Sequence, residues 1–188
     1  MARKGRNGRF AQHRSAATPA SSERIALYMD LENLLYEYRQ AQDWDGAIVA
    51  VASLVHGLAT RGTLVARVAS ADAGLVRRLA FALGRLGVRS HAHMSGQDGA
   101  DLALLEALEY DVPRSCGTVV IASGDHIFAP AAKRLREQGK RVEVVACAGT
   151  ISAALYASAD SFKTFMTLED GMSLLSTSEP HPAGGLRP

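Results

Sequence analysis

The sequence predicts an α/β fold, one three-layer domain in which a mainly parallel sheet carries helices on both faces. Short apolar runs alternate with helical stretches from residue 24 onward, the order that right-handed strand–helix–strand crossovers require. One run, TVVIAS at 118–123, is almost continuously apolar, as befits a central parallel strand buried on both faces. The chain has 188 residues, 47% hydrophobic and 21% charged, enough for one such core with tails at either end.

IALYM (25–29) opens the pattern as a strand that ends at Asp30. A helix can begin in NLLYEYRQ (33–40), and DGAIVAVASLVHGLATRG (45–62) reads as a longer one stopped by Gly62. LVARVAS (64–70) is the second strand. In ADAGLVRRLAFALGRLG (71–87), Leu75, Leu79, Ala82, Leu83 and Leu86 share one helical face, and Gly87 closes the helix. VRSHAHM (88–94) is a third, more polar strand nearer an edge, and ADLALLEALEY (100–110) is helical. After TVVIAS, PAAKRLREQG (130–139) is a helix with Pro130 tolerated in its first turn and Gly139 as its stop. KRVEVVA (140–146) is the fifth strand, a short helix follows near 150–158, and FKTFMTL (162–168) is a candidate sixth strand. The domain thus spans 24–168, between a basic tail (1–23) and a C-terminal tail (169–188), both expected to be disordered.

Ligands of open parallel sheets bind beyond the carboxyl ends of the strands. Asp30, Glu32 and Asn33 lie just past the first strand, Ser70 and Asp72 past the second, Asp98 and Asp101 past the third. Ser123, Gly124, Asp125 and His126 lie past the fourth. Each acid alone reads as a helix cap or a dipole partner. Together on one rim they would repel one another and hold their protons more tightly. A hard divalent cation relieves that repulsion, since Mg²⁺ or Mn²⁺ prefers carboxylate oxygen and water. Gly124 would let the backbone turn tightly beside a ligand. His126 reads as a ligand, a proton donor or a polar residue at a helix start.

Asp30-x-x-Asn33 after the first strand, Ala100-Asp101 opening a helix, Ser123-Gly124-Asp125 after the fourth strand, RLREQGKRVEVV (134–145) and Ala159-Asp160-x-Phe162 form an ordered series. That series resembles the NYN domain of the PIN-like nucleases, with the LabA-like branch nearest. The resemblance implies a PIN-like, Rossmann-like sheet of strand order 3-2-1-4-5 and a Mg²⁺- or Mn²⁺-dependent ribonuclease. It implies that Asp30, Asp101 and Asp125 ligate the metal and that Asn33 orients a ligand or the phosphate. Ser123, Gly124, His126, Glu32 and Asp98 would be accessory. Activated water attacking in line with the 3′-oxygen would leave a 5′-phosphate and a 3′-hydroxyl. Where the family usually has a second acid after Asp125, this chain has Ile127, and Gln97-Asp98-Gly99 stands where a lysine commonly precedes the Ala-Asp pair. Those positions favour the alternative of a catalytically degenerate module that binds RNA or a protein partner without cutting it. A phosphatase or nucleotide-binding domain fits less well, because no GxGxxG or P-loop is present and Glu32, not Asp, stands two residues beyond Asp30.

Charge adds a partner. The net charge of +2 conceals a tail, residues 1–23, in which Arg3, Lys4, Arg6, Arg9 and Arg14 face only Glu23. Such an arm attracts phosphate backbones by counterion release, or it is simply a solvated tail. Lys133 and Arg136 belong to a basic cluster with Arg134, Lys140 and Arg141, which reads as an RNA-phosphate track or as the outer face of a covering helix. His91 and His93 share one strand face and read as a solvated edge. Tyr36, Tyr38 and Trp44 could stack on a splayed base or anchor the first loop. The two cysteines, Cys116 and Cys147, lack metal-ligand spacing, and no apolar stretch is long enough to span a bilayer, so a cytoplasmic protein is expected. RNA is the expected partner, no membrane is, and a homodimer would be common for a domain of this size.

Overall fold

The computed structural model describes residues 22–93 and 99–165. The tail arginines and lysine (Arg3, Lys4, Arg6, Arg9), Gln97 and Asp98, residues 166–168 of the candidate sixth strand and the C-terminal tail lie outside the described residues. Among the described residues six strands form one all-parallel sheet: β1 (Glu23–Asp30), β2 (Gly62–Asp72), β3 (Arg89–His93), β4 (Thr118–Ala122), β5 (Arg141–Ala146) and β6 (Ser161–Thr164). Their spatial order is β3-β2-β1-β4-β5-β6. The first five follow the expected order, β3 occupies an edge as its polarity suggests, and β6 extends the sheet beyond β5. β1 begins two residues earlier than expected, because Glu23 already pairs with Gly62.

Helices α1 (Leu31–Leu34), α2 (Tyr36–Ala41), α3 (Trp44–Arg61), α4 (Ala73–Arg85), α5 (Gly99–Tyr110), α6 (Ala129–Glu137) and α7 (Ala153–Ser158) fill the crossovers. Strand alternation sorts β1 between the two faces. Ile25, Leu27 and Met29 join Leu54, Leu58, Leu75 and Leu79 of α3 and α4 on one side. Ala26 and Tyr28 join Leu104, Leu108 and Leu135 of α5 and α6 on the other. The helix expected from residue 33 starts instead at Leu31, because Asp30 caps it, and it breaks at Leu35 into α1 and α2. Gly87 and Gly139 end α4 and α6 with φ of 65° and 78°, the left-handed conformation that glycine adopts without strain.

One buried charge interrupts the apolar strand β5. Glu143 is fully buried and takes a bidentate pair from Arg61 of α3, both contacts 2.7 Å, with Arg141 at 3.1 Å and Lys163 at 3.8 Å. Burial alone would raise its carboxyl, but the Arg61 hydrogen bonds and the surrounding cations hold it below the usual range. The sequence offered no local sign of this network, since Arg61 and Glu143 are 82 residues apart.

Candidate active site

β1 and β4 lie side by side, so the residues that follow them share one crevice at the carboxyl edge. Asp30, the last residue of β1, is 4% exposed. Its Oδ1 accepts the Asn33 amide at 3.1 Å and its Oδ2 accepts the Ser123 hydroxyl at 2.9 Å. Among the described residues no Lys, Arg or His pairs with it. Burial therefore pushes the Asp30 carboxyl above the ordinary carboxylate range; the Asn33 amide and Ser123 pull it back, and the charge of Glu32 adds to the rise. Ser123 Oγ also accepts the Asp125 amide at 3.2 Å, and Asn33 Oδ1 accepts the Gly124 amide at 2.9 Å. These bonds tie the ends of β1 and β4 together at the residue types expected to form the site.

The remaining expected residues divide. Asp125 caps the 3-10 turn His126–Phe128 through Oδ1, which accepts the Ile127 amide at 3.0 Å and lies 2.8 Å from His126 Nδ1. His126 is otherwise exposed. Capping and membership of the rim are thus compatible roles for Asp30 and Asp125. Glu32 points toward β2: it accepts the Asp72 amide at 2.9 Å and lies 4.0 Å from Arg39. Asp101 sits half-buried in the first turn of α5, which packs across β1, β2 and β3. Among the described residues no three His, Cys, Asp or Glu side chains are gathered as a metal-ligand group, so the expected three-acid set is not assembled there. Gly124 is confined by a neighbouring loop backbone. A Cβ there would meet the Thr150 carbonyl oxygen at 2.5 Å, so the close neighbour is the loop after β5.

Two polar residues of the rim carried no assigned role in the sequence. Ser70 pairs in register with Asp30, and His91 pairs with Ser70, so all three project toward the α5 side of the sheet. Ser70 is fully buried, and neither its Oγ nor His91 Nε2 has a hydrogen-bond partner among the described residues. Register, which the sequence does not display, creates this row. His91 is half-buried rather than solvated, while His93 remains exposed beneath Gly99 of α5.

The basic positions lie elsewhere. Lys133 and Arg136 line an open cavity of about 790 Å³ with Lys140, Arg141 and Asp160. The cavity adjoins the start of β5, at the sheet edge opposite the acids. Arg136 is already engaged, its Nε donating to Asp160 Oδ1 at 2.8 Å, whereas Lys133 is exposed and has no ion pair among the described residues. Of the first-loop aromatics, Tyr38 is buried, Tyr36 is exposed, and Trp44 is half-buried beneath the Arg78 guanidinium. Both cysteines are buried; burial raises the Cys116 thiol, and pushes that of Cys147 up to about 11.

An all-parallel sheet with helices on both faces and a carboxylate buried at its carboxyl edge defines an open α/β domain with its ligand crevice at that edge. The chain belongs to the NYN domain family, whose model matches residues 24–169. Members of that family are in general nucleases, typically dependent on a divalent metal. Among solved structures, a protein of unknown function from Vibrio parahaemolyticus is similar, with 21% identity, a TM-score of 0.61, and coverage of 79% of this chain and 96% of that one. That likeness concerns the fold. The apo structure of CalE6, a methionine gamma lyase from Micromonospora echinospora, matches with 21% identity over 62% of this chain and 32% of that one, and its TM-score of 0.29 carries no argument. The comparison with curated proteins gave no match. Among the described residues no helix is long and apolar enough to cross a membrane.

Proposed function

We propose that this chain is a ribonuclease that hydrolyses RNA phosphodiester bonds with Mg²⁺ or Mn²⁺ held at the carboxyl edge. The observation that carries the reading is Asp30, a carboxylate buried at a crevice and held, among the described residues, by the Ser123 hydroxyl and backbone amides with no cation beside it. A cation is the partner that such a group lacks. Mg²⁺ usually takes one or two carboxylates and keeps several waters, so Asp30 and Asp125 would serve it without a closed three-acid cage. Asp101 would complete the set from α5. When bound, the cation supplies charge stabilisation at the phosphate oxygens and lowers the pKa of water. The chain's own contribution is positional. Ser123 and the Asn33 amide fix both oxygens of Asp30, and Asn33 Oδ1 on the Gly124 amide holds the two strand ends in register.

The test uses purified full-length protein, labelled RNA, and Mn²⁺, Mg²⁺ or EDTA. Cleavage with either metal, leaving 5′-phosphate and 3′-hydroxyl ends, is expected. Asp30→Asn and Asp125→Asn should each lose about 100-fold or more in rate while melting cooperatively. Thermal shift gives an independent reading: Mn²⁺ at ten times its Kd stabilises the wild type by about 1.4 kcal/mol and leaves Asp30→Asn unmoved. No cleavage and no shift would sink the catalytic reading. One observation favours the rival, a module that binds RNA or a protein without cutting. Asp125 Oδ1 is occupied by the Ile127 amide and His126, and Ile127 supplies no second acid. RNA binding without a Mn²⁺-dependent shift would establish that rival.

A further inference from the structure

A second cleft opens at the same edge of the sheet, on the face covered by α3 and α4. It has a volume of about 410 Å³ and is lined by Arg39, Gln42, Trp44, Asp72 and Arg78, with the start of α4 as its floor. Pockets of this size accommodate small ligands such as a single nucleotide unit. Asp72 lies two residues beyond Ser70, the register partner of Asp30, and its amide is held by Glu32. The Cα of Asp72 therefore lies about 8 Å from that of Asp30, one strand spacing and one two-residue step away.

We infer that this cleft binds a nucleotide of single-stranded RNA flanking the bond that is cut, an inference that rests on the ribonuclease reading. Three features point to that ligand. The Arg78 guanidinium carbon lies 4.4 Å from the centroid of the Trp44 ring, and Arg78 is exposed, so the group is open to a second stacking partner. Unpaired bases stack on guanidinium planes as well as on aromatic rings, and the Trp44 ring beneath restrains this one. Arg39 supplies a second guanidinium, paired with Asp72 at 3.3 Å and half-exposed, so its remaining donors can take a phosphate oxygen in the fork geometry that suits it. Between the two arginines the wall turns at Gln42, whose φ of 54° is a left-handed conformation uncommon outside glycine and asparagine. That turn places Gln42 in the lining of the cleft. An α-helical stacking surface alone would be an ordinary cation–π pair; the open cavity and second arginine beside it make a site.

Trp44 is the chain's only tryptophan, so its fluorescence reports on this cleft alone. The experiment titrates full-length protein with a single-stranded uridylate decamer in EDTA, where no metal-dependent cleavage occurs. Saturable quenching is expected. Arg78→Ala should weaken binding about tenfold, the usual scale for loss of one base-stacking surface. Arg39→Ala should weaken it less and flatten its salt dependence by about 0.7 in log–log slope. Asp30→Asn should retain the quenching, which separates the cleft from the catalytic reading. If the decamer leaves the fluorescence unchanged, or if Arg78→Ala binds as the wild type does while melting normally, the cleft is not an RNA subsite whatever the cleavage assay gives. Quenching without cleavage in Mn²⁺ would keep the cleft and remove the ribonuclease.

Discussion

Burial of the Asp30 carboxylate, which among the described residues meets a hydroxyl and backbone amides but no cation, makes its charge costly at neutral pH. The folded-state pKa is raised, so the native chain holds that proton more tightly than the unfolded one. Stability then falls as pH rises from the ordinary aspartate range, about 4, through the folded value, and the cost persists above it. Asp30→Asn removes the cost, and Asn can keep both partners because Ser123 Oγ can accept as well as donate. At pH 7 without metal we expect a melting temperature roughly 2–4 °C higher for Asp30→Asn, as about 1 kcal/mol gives in a domain of this size. The difference should vanish below about pH 4. An Asn variant that melts lower at pH 7 would contradict this account. Tyr28 offers a second test. Its hydroxyl is buried without a hydrogen-bond partner among the described residues, and burial raises its pKa. Tyr28→Phe should cost nothing or stabilise by about 1 kcal/mol in urea unfolding.

Between elements, the Arg61–Glu143 pair joins the end of α3 to β5. Glu143→Ala strands several cations around a buried void and should cost about 3–5 kcal/mol by denaturant unfolding. Because the Glu143 carboxyl is held low, its contribution is complete above the ordinary glutamate range, about 4.3, and is lost as pH falls through the folded value. The wild type should therefore lose stability in acid faster than the variant. Element order was legible from the sequence because each strand keeps its apolar run and each crossover its 3.6-residue pattern. Gly87 and Gly139 marked helix ends correctly. The break at Leu35, the buried Glu143 and the Asp30–Ser70–His91 row were not legible, since each depends on partners distant in the chain. Asp30, Asn33, Ser123 and Gly124 were legible together because they follow two strands that a parallel sheet must bring near each other. Asp101 sits on a helix whose approach the sequence does not fix, and there the expectation of one acid cluster outran what the described residues assemble.

At the scale of the molecule, acids and basic cavity occupy opposite edges of the sheet. Ser22 enters the fold beside β1's first residue, so the cationic segment before it joins on the basic side. Removal of residues 1–21, which leaves β1 intact, should weaken RNA binding and reduce its log–log salt slope by up to about 3.5, or 0.7 for each of five cations. An unchanged slope would show that the segment makes no phosphate contact. β1 itself is translated before every other strand yet stands in the middle of the sheet, with β4 as one of its neighbours. Asp30 meets Ser123 across 93 residues of sequence. A nascent chain halted ahead of β4 therefore carries its most apolar strand with one flank unzipped, a state prone to aggregate and slow to resolve. Emergence of Ala122 from the ribosome is the point at which that flank can first close, and stalled chains with β4 outside or still inside the exit tunnel should differ sharply in their resistance to proteolysis.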